Sequence, residues 1–314
     1  MARHLTLGTH LVTGALVASA TLMLTGCGGQ TTTSGGEVSE SAGANSAPLF
    51  SKLPKKYQNS KAIKVGADVN YAPVEFTGED GQTAIGIDPD LAKALGKQLG
   101  VTFQFQDSTF DNLIPSLQTG RFDVLMSGMG DTRSRQTGKD ETGKKVGPGV
   151  DFVDYFSAGT SILVQKGNPK NIQSLNDLCG KTVAIQRGTT SQYLLEDQAK
   201  RCQEDGKGKL TVQAFDKDTE ALIRLRQGAA AADLNEFPVA AYNAKQSAGE
   251  YEVVGTPVKP SPYGIAVRKD NTQLRDAIKA ALDAIIKNGE YKKVLQKWNV
   301  ADGAVPRADI NSGT

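Results

Sequence analysis

Histidine is nearly absent from this chain: its 314 residues hold two, His4 and His10, both at the N-terminus. Beyond residue 10 there is no imidazole, which excludes Ser-His-Asp and Cys-His catalysis, histidine metal sites and histidine pH switches from the body of the protein. An excess of one charge is lacking too. With 36 Lys and Arg against 34 Asp and Glu, there is no clustered basic footprint of the kind nucleic acid demands. Three cysteines without a CxxC spacing leave no structural zinc site, and neither a metal nor a cofactor is expected. Nor does any apolar run reach the ~20 residues that cross a bilayer. What remains is ordinary: 39% hydrophobic, 22% charged, and long enough for one large domain or two of common size.

The first residues set the compartment. Arg3 opens a short basic region, and the apolar run Leu11 to Leu24 is suited in length to a signal-peptide core. It ends in Leu24-Thr25-Gly26-Cys27, which resembles the lipobox of bacterial lipoproteins. That resemblance implies cleavage before Cys27 and lipid on its thiol, so residues 1–26 read as signal peptide. Gly28 to Pro48 is rich in Gly, Ser, Thr and Ala, and 27–59 reads as lipidated cysteine plus flexible tether. The expected location is therefore extracytoplasmic, held to the cell membrane by lipid alone. Cys179 and Cys202 remain as an even pair in an exported chain. A disulfide between them closes a loop of 24 residues, worth about 3 kcal/mol in the loop-entropy picture.

Strands and helices then alternate. Ile63 to Asp68 reads as a strand, and Asp88-Pro89 as the N-cap and first position of a helix with Leu91, Leu95 and Leu99 on one face. Val101 to Phe105 is a strand, Asp111 to Thr119 a helix stopped by Gly120, and Phe122 to Met126 another strand. A second set follows: strands at Ser161 to Gln165, Thr182 to Gln186, Leu210 to Phe215 and Ala231 to Asn235, with helices at Thr190 to Ala199 and Thr219 to Gln227. Tyr263 to Arg268 is the last strand. Thr272 to Lys287 is an amphipathic helix, and a further helix carries Tyr291, Val294, Leu295 and Trp298. This order predicts an α/β protein with two mostly parallel sheets covered by helices, and polar loops at the strand ends where such sheets bind ligands.

Several segments resemble one family in order. Asp68-Val-Asn-Tyr71-Ala-Pro73-Val-Glu75-Phe76 and Gly86-Ile-Asp88-Pro-Asp90 come first. Phe110-Asp111-Asn-Leu-Ile-Pro, Phe122-Asp123-Val-Leu-Met-Ser127-Gly128 and Thr132-Arg-Ser-Arg135 follow. Then come Gly180-Lys-Thr-Val-Ala-Ile-Gln186-Arg-Gly188-Thr-Thr190, Asn235-Glu236-Phe-Pro238 and Gly264-Ile-Ala-Val-Arg268. Together they resemble the solute-binding family 3, the polar-amino-acid-binding components of ABC importers, over residues about 60 to 300. The resemblance implies a two-lobe periplasmic-binding-protein fold of type II. Lobe one would comprise 60–157 plus 258–300, lobe two 158–257, and 301–314 a C-terminal tail. It also implies a permease with a cytoplasmic ATPase as partner, and a monomer that closes on its ligand.

A free amino acid is a zwitterion, so a dry cleft must answer both charges. Arg135 is the candidate for the carboxylate, since a guanidinium offers two parallel charge-assisted bonds; Arg133 is the fallback. Backbone donors at Gly130 and Asp131 would assist, with the Thr190 N–H opposite. Glu236 is the candidate for the ammonium, where the resembling family usually has Asp. Tyr71 and Phe110 would flank the aliphatic stem, Asp68, Ser127 and Gly128 would meet or border the tip, and Gln186 would reach across. Asp68 favours arginine, lysine, ornithine or glutamine over an acidic ligand, although Arg187 leaves an acidic ligand open. Gln136 to Gly149 exceeds the family pattern by roughly ten residues and reads as a solvent loop. Glu75 reads as structural. No catalytic residue is assigned, but an enzyme resembling the cyclohexadienyl dehydratases and an amino-acid sensor remain the alternatives.

Overall fold

The computed structural model describes residues 47–140 and 143–314. The segment expected to be a lipobox, ending at Cys27, lies outside the described residues. Among the described residues there are twelve strands: β1 (Ala62–Ala67), β2 (Asn70–Tyr71), β3 (Glu75–Thr77), β4 (Ala84–Ile85), β5 (Thr102–Asp107), β6 (Val124–Leu125), β7 (Val150–Gln165), β8 (Thr182–Gln186), β9 (Thr211–Phe215), β10 (Ala232–Glu236), β11 (Tyr251–Arg268) and β12 (Asp309–Ile310). The α-helices are α1 (Lys55–Ser60), α2 (Ile87–Leu99), α3 (Leu113–Gln118), α4 (Arg133–Thr137), α5 (Thr190–Glu204), α6 (Asp218–Arg226), α7 (Phe237–Gln246), α8 (Thr272–Asn288) and α9 (Glu290–Lys297).

The main sheet runs β5-β1-β6-β11-β7-β10-β8-β9, with β12 beside β7. It contains two parallel sets, β5-β1-β6 and β10-β8-β9, joined by the long antiparallel pair β7–β11. Two main cores follow the same division. One gathers Val65, Leu95, Phe156, Tyr263, Ile278 and Leu295; the other gathers Ile162, Val183, Leu195, Leu210 and Val254. The β7–β11 register slips between Val254 and Val258 and again before Ser261, so the pairing is irregular where the chain passes between the cores.

Several expectations need correcting. The helix after Gly86 starts at Ile87, not at Pro89, and Asp88 is no N-cap. Its carboxylate is fully buried, where it accepts from the Tyr155 hydroxyl at 2.7 Å and the Gly128 N–H at 3.2 Å. The expected bound of a tether at residue 59 is too late. Leu53 and Tyr57 are buried, Tyr57 donates to Asp123, and the folded body begins near residue 50. Strands 150–165 and 251–268 are far longer than the pieces read from sequence. Nearly all of β7 is buried on both faces, so its residues show no alternation. Helix α7 is a further element not expected from sequence, although Pro238 stands in its first turn, where proline is tolerated.

The terminal residues are integral to the body. β12 pairs with β7, and the Ser312 N–H and hydroxyl both donate to Asp154, at 3.0 and 2.6 Å. Gly313 N–H donates to Asp131 at 2.8 Å. A Cβ at Gly313 would stand 2.0 Å from the Asp131 carbonyl oxygen, so only glycine fits there.

Cys179 and Cys202 are joined, with their Cα atoms 5.4 Å apart, tying the start of β8 to the last turn of α5. The Cys179→Ser/Cys202→Ser double variant is expected to lose about 3 kcal/mol in urea denaturation. An unchanged midpoint would show that the bond contributes nothing.

Candidate functional site

Apart from Tyr71, which lies in the short antiparallel strand β2, the sequence-singled residues end or follow parallel strands or lie in the first turn of a helix. Asp68 follows β1, Tyr71 lies in β2, and Phe110 opens a single 3₁₀ turn after β5. Ser127, Gly128 and Gly130 follow β6, and Arg135 lies in α4. Gln186 ends β8, Thr190 opens α5, and Glu236 ends β10 at the N-cap of α7. Nine of these ten converge on one cavity of about 10 Å³: Tyr71, Phe110, Ser127, Gly128, Gly130, Arg135, Gln186, Thr190 and Glu236. Asp68 stands just behind, accepting from the Gln186 side-chain amide at 2.6 Å. So small a space does not itself hold an amino acid, but Gly130, Arg135, Thr190 and Glu236 also line a cavity of about 1220 Å³.

Sequence reasoning missed Thr189, which also borders the cavity. It is the N-cap of α5, its hydroxyl accepting from Gln192 N–H at 3.1 Å, while Thr190 holds the first helical position. The Thr190 N–H therefore has no intrahelical acceptor and is free to meet an anion. Two adjacent threonines after Gly188 gave the signal without saying which one caps.

Arg135 and Glu236 carry the charges. The guanidinium donates to Gly130 O at 2.6 Å and to Gly188 O at 2.9 Å, and lies over the Phe110 ring at 5.4 Å. These bonds use two of its five donors. Glu236 accepts from the Tyr71 hydroxyl and, at 3.4 Å, from Thr190 Oγ1. Burial pushes its pKa up, and burial lowers that of Arg135. The fallback Arg133 is exposed and touches Gln136 instead. Asp131 N–H donates to Pro262 O at 2.8 Å, so it is not available to a carboxylate, contrary to expectation. Arg187 is engaged with Asp216 and Ala214 O outside the cavity.

Asp68 is buried and its pKa is pushed up to about 6, first by desolvation, with Asp107 adding to the rise and Asn70, Lys217 and Gln186 opposing it. Ser127 borders the cavity, but its hydroxyl donates to Glu75 at 2.5 Å and accepts from Asp68 N–H at 3.0 Å. It positions Asp68 as much as it faces a ligand. Glu75 and Asp88 form a fully buried acidic pair beneath it. Burial, then Asp88, drives the Glu75 pKa well up, and burial pushes Asp88 to about 7. Near neutrality the pair shares one proton.

Both folded pKa values lie above the ordinary carboxylate range, so the contribution to stability is complete in acid and is lost as pH rises through 7. Melting temperature should fall from pH 6 to pH 8. Glu75→Gln, which removes one of the two titrating carboxyls, should shrink that fall by about 2 °C. Asp233, also raised to about 7, keeps part of the slope. A slope untouched by the substitution would dissociate it from this pair.

Among the described residues no group of three or more His, Cys, Asp or Glu could hold a metal. The fold and the converging opposite charges define a two-lobe solute-binding protein. Residues 63–301 match the bacterial extracellular solute-binding proteins, family 3, and the chain belongs to that family. The arginine-binding protein ArgT of Corynebacterium glutamicum is 29% identical over 260 residues, covering 82% of this chain and 81% of its own. Among solved structures, an ancestral arginine-binding protein bound to glutamine is 37% identical with a TM-score of 0.67, over 76% of this chain and 98% of that one. The ancestral amino acid-binding protein AncCDT-1, a precursor of cyclohexadienyl dehydratase, is 37% identical with a TM-score of 0.66, over 78% and 98%.

Proposed function

We propose that this protein is the extracytoplasmic receptor of an amino-acid ABC importer, anchored through lipid on Cys27. It closes on a polar amino acid whose tip is cationic or an amide, and delivers it to a permease. In this reading 60–157 with 258–300 forms one lobe and 158–257 the other, and the irregular stretch of β7–β11 absorbs the closing rotation. The observation that carries it is the convergence of Arg135 and Glu236 on one small cavity, with Asp68 backing its far side through Gln186. Arg135 and the Thr190 N–H take the carboxylate, Glu236 the ammonium, and Asp68 the tip. The relatives' arginine and glutamine ligands agree with that charge pattern.

Calorimetry against the twenty standard amino acids and ornithine tests it. Arginine, lysine, ornithine or glutamine should bind at about micromolar Kd, near −8 kcal/mol, and aspartate and glutamate should not. No binding by any polar amino acid at millimolar concentration would refute it. The anchor is tested separately: Cys27→Ser should release the protein from the membrane fraction. The kinship with AncCDT-1 favours one second reading, an enzyme using Glu236 as general acid, because burial holds that carboxyl's pKa up inside the cavity. Prephenate or arogenate incubated with the protein should then yield the aromatic product; on the importer reading it stays unchanged.

A further inference from the structure

A separate cavity, about 470 Å³, shares no residue with the small one just described. One wall is helix α7. Phe237, Ala241 and Lys245 recur every fourth residue and so stand on one face, with Tyr242 beside them. The opposite wall is Trp298 and the residues after it, and the floor includes Phe156 to Gly159 of β7. The rings are held in place: Trp298 Nε1 donates to Asp90 at 2.8 Å, and Phe76 packs edge-on against Trp298 at 6.0 Å and at a tilt of 47° against Tyr242 at 6.1 Å. Phe237 is 44% exposed, an aromatic ring left uncovered on this wall.

The charges are uneven. Lys297 also lines the cavity, but its ammonium is paired with Asp90 at 2.6 Å. Lys245 is exposed and makes no ion pair among the described residues. Asp302 is the acid among the lining residues, and it lies beyond the end of α9, not on the α7 face. Two turns of helix separate Phe237 from Lys245, about 12 Å along the axis, and a lysine side chain can fold back over part of that distance. An aromatic wall ending in an uncompensated cation, in a space of small-molecule size, suits one chemistry.

We propose that this cavity is a second binding site, for an aromatic carboxylate whose ring lies against Trp298, Tyr242 and Phe237 and whose carboxylate meets Lys245. The site does not depend on which amino acid the cleft takes.

Trp298 is the sole tryptophan of the sequence, so its fluorescence reports on this wall alone. The probe is 4-iodobenzoate, whose iodine quenches indole on contact, titrated into the full-length protein with inorganic iodide as the control for solvent quenching. Saturable quenching by 4-iodobenzoate is expected, against linear quenching by iodide. Lys245→Gln should raise the half-saturation concentration several-fold and Lys245→Glu about tenfold or more, the order expected from removing and then reversing one nearby charge. Both substitutions are at an exposed position, so the fold is not at stake. Quenching that never saturates, or that saturates identically in the Lys245 variants, would overturn the proposal.

Discussion

Arg135→Ala should lower amino-acid affinity about 1000-fold, and Arg135→Lys about 100-fold, in calorimetric titrations of folded protein. The guanidinium sits partly buried at the cavity with two N–H groups fixed on Gly130 O and Gly188 O, which leaves three of its five donors for a ligand. A ligand carboxylate placed there gains parallel charge-assisted bonds in a desolvated setting, and truncating one partner of such a pair strands the other. Lysine keeps the charge but offers no planar fork, which is why it recovers only part of the loss. Because Arg135 also ties two carbonyls together, the alanine variant should melt a few degrees lower while keeping its circular dichroism spectrum. Full retention of binding by either variant would remove Arg135 from the site.

Asp68→Asn should weaken arginine about 100-fold while leaving glutamine within about fivefold, since only the cationic tip depends on the carboxylate's charge. The same group predicts a pH dependence whose sign can be worked out. The folded pKa of Asp68 is about 6, above its ordinary value, so in the free protein the acid is protonated below that pH. Its stabilising contribution is therefore complete in acid and is lost as pH rises through 6. A bound guanidinium requires the ionised form and drives the proton off. Arginine affinity should thus fall about tenfold per pH unit below 6, and glutamine's much less. Glu236 titrates under both ligands, so the arginine-to-glutamine ratio isolates Asp68. In Asp68→Asn the ratio should no longer move with pH; a ratio that still moves would assign the effect elsewhere.

The parts of the molecule that could be read from sequence are those with a local signal. Thr182 to Gln186 is a run of β-formers between breakers, and the strand has those bounds. The α8 stripe of Leu274, Ile278, Leu282 and Ile285 repeats every turn, and all four are buried. The cavity residues were legible because they fall at strand ends and helix starts, positions that sequence order alone locates. What stayed hidden depends on distant partners. Asp88 resembles a helix cap until Tyr155, 67 residues away, draws its carboxylate inward. Ser127 reads as a ligand hydroxyl until it is seen to donate its hydrogen bond to Glu75. Strands β7 and β11 lack a period of two because both of their faces meet other elements over part of their length.

The pairing of the last residues with Asp131, Asp151 and Asp154 bears on how the gene is trimmed. Asp131 is the next residue after Gly130, whose carbonyl holds the Arg135 guanidinium. A reading frame stopped before Asn311, or a bulky fusion joined flush to Gly313, removes or displaces the brace behind that arginine. A purification handle joined next to Gly313 without a spacer should then lower the measured ligand affinity.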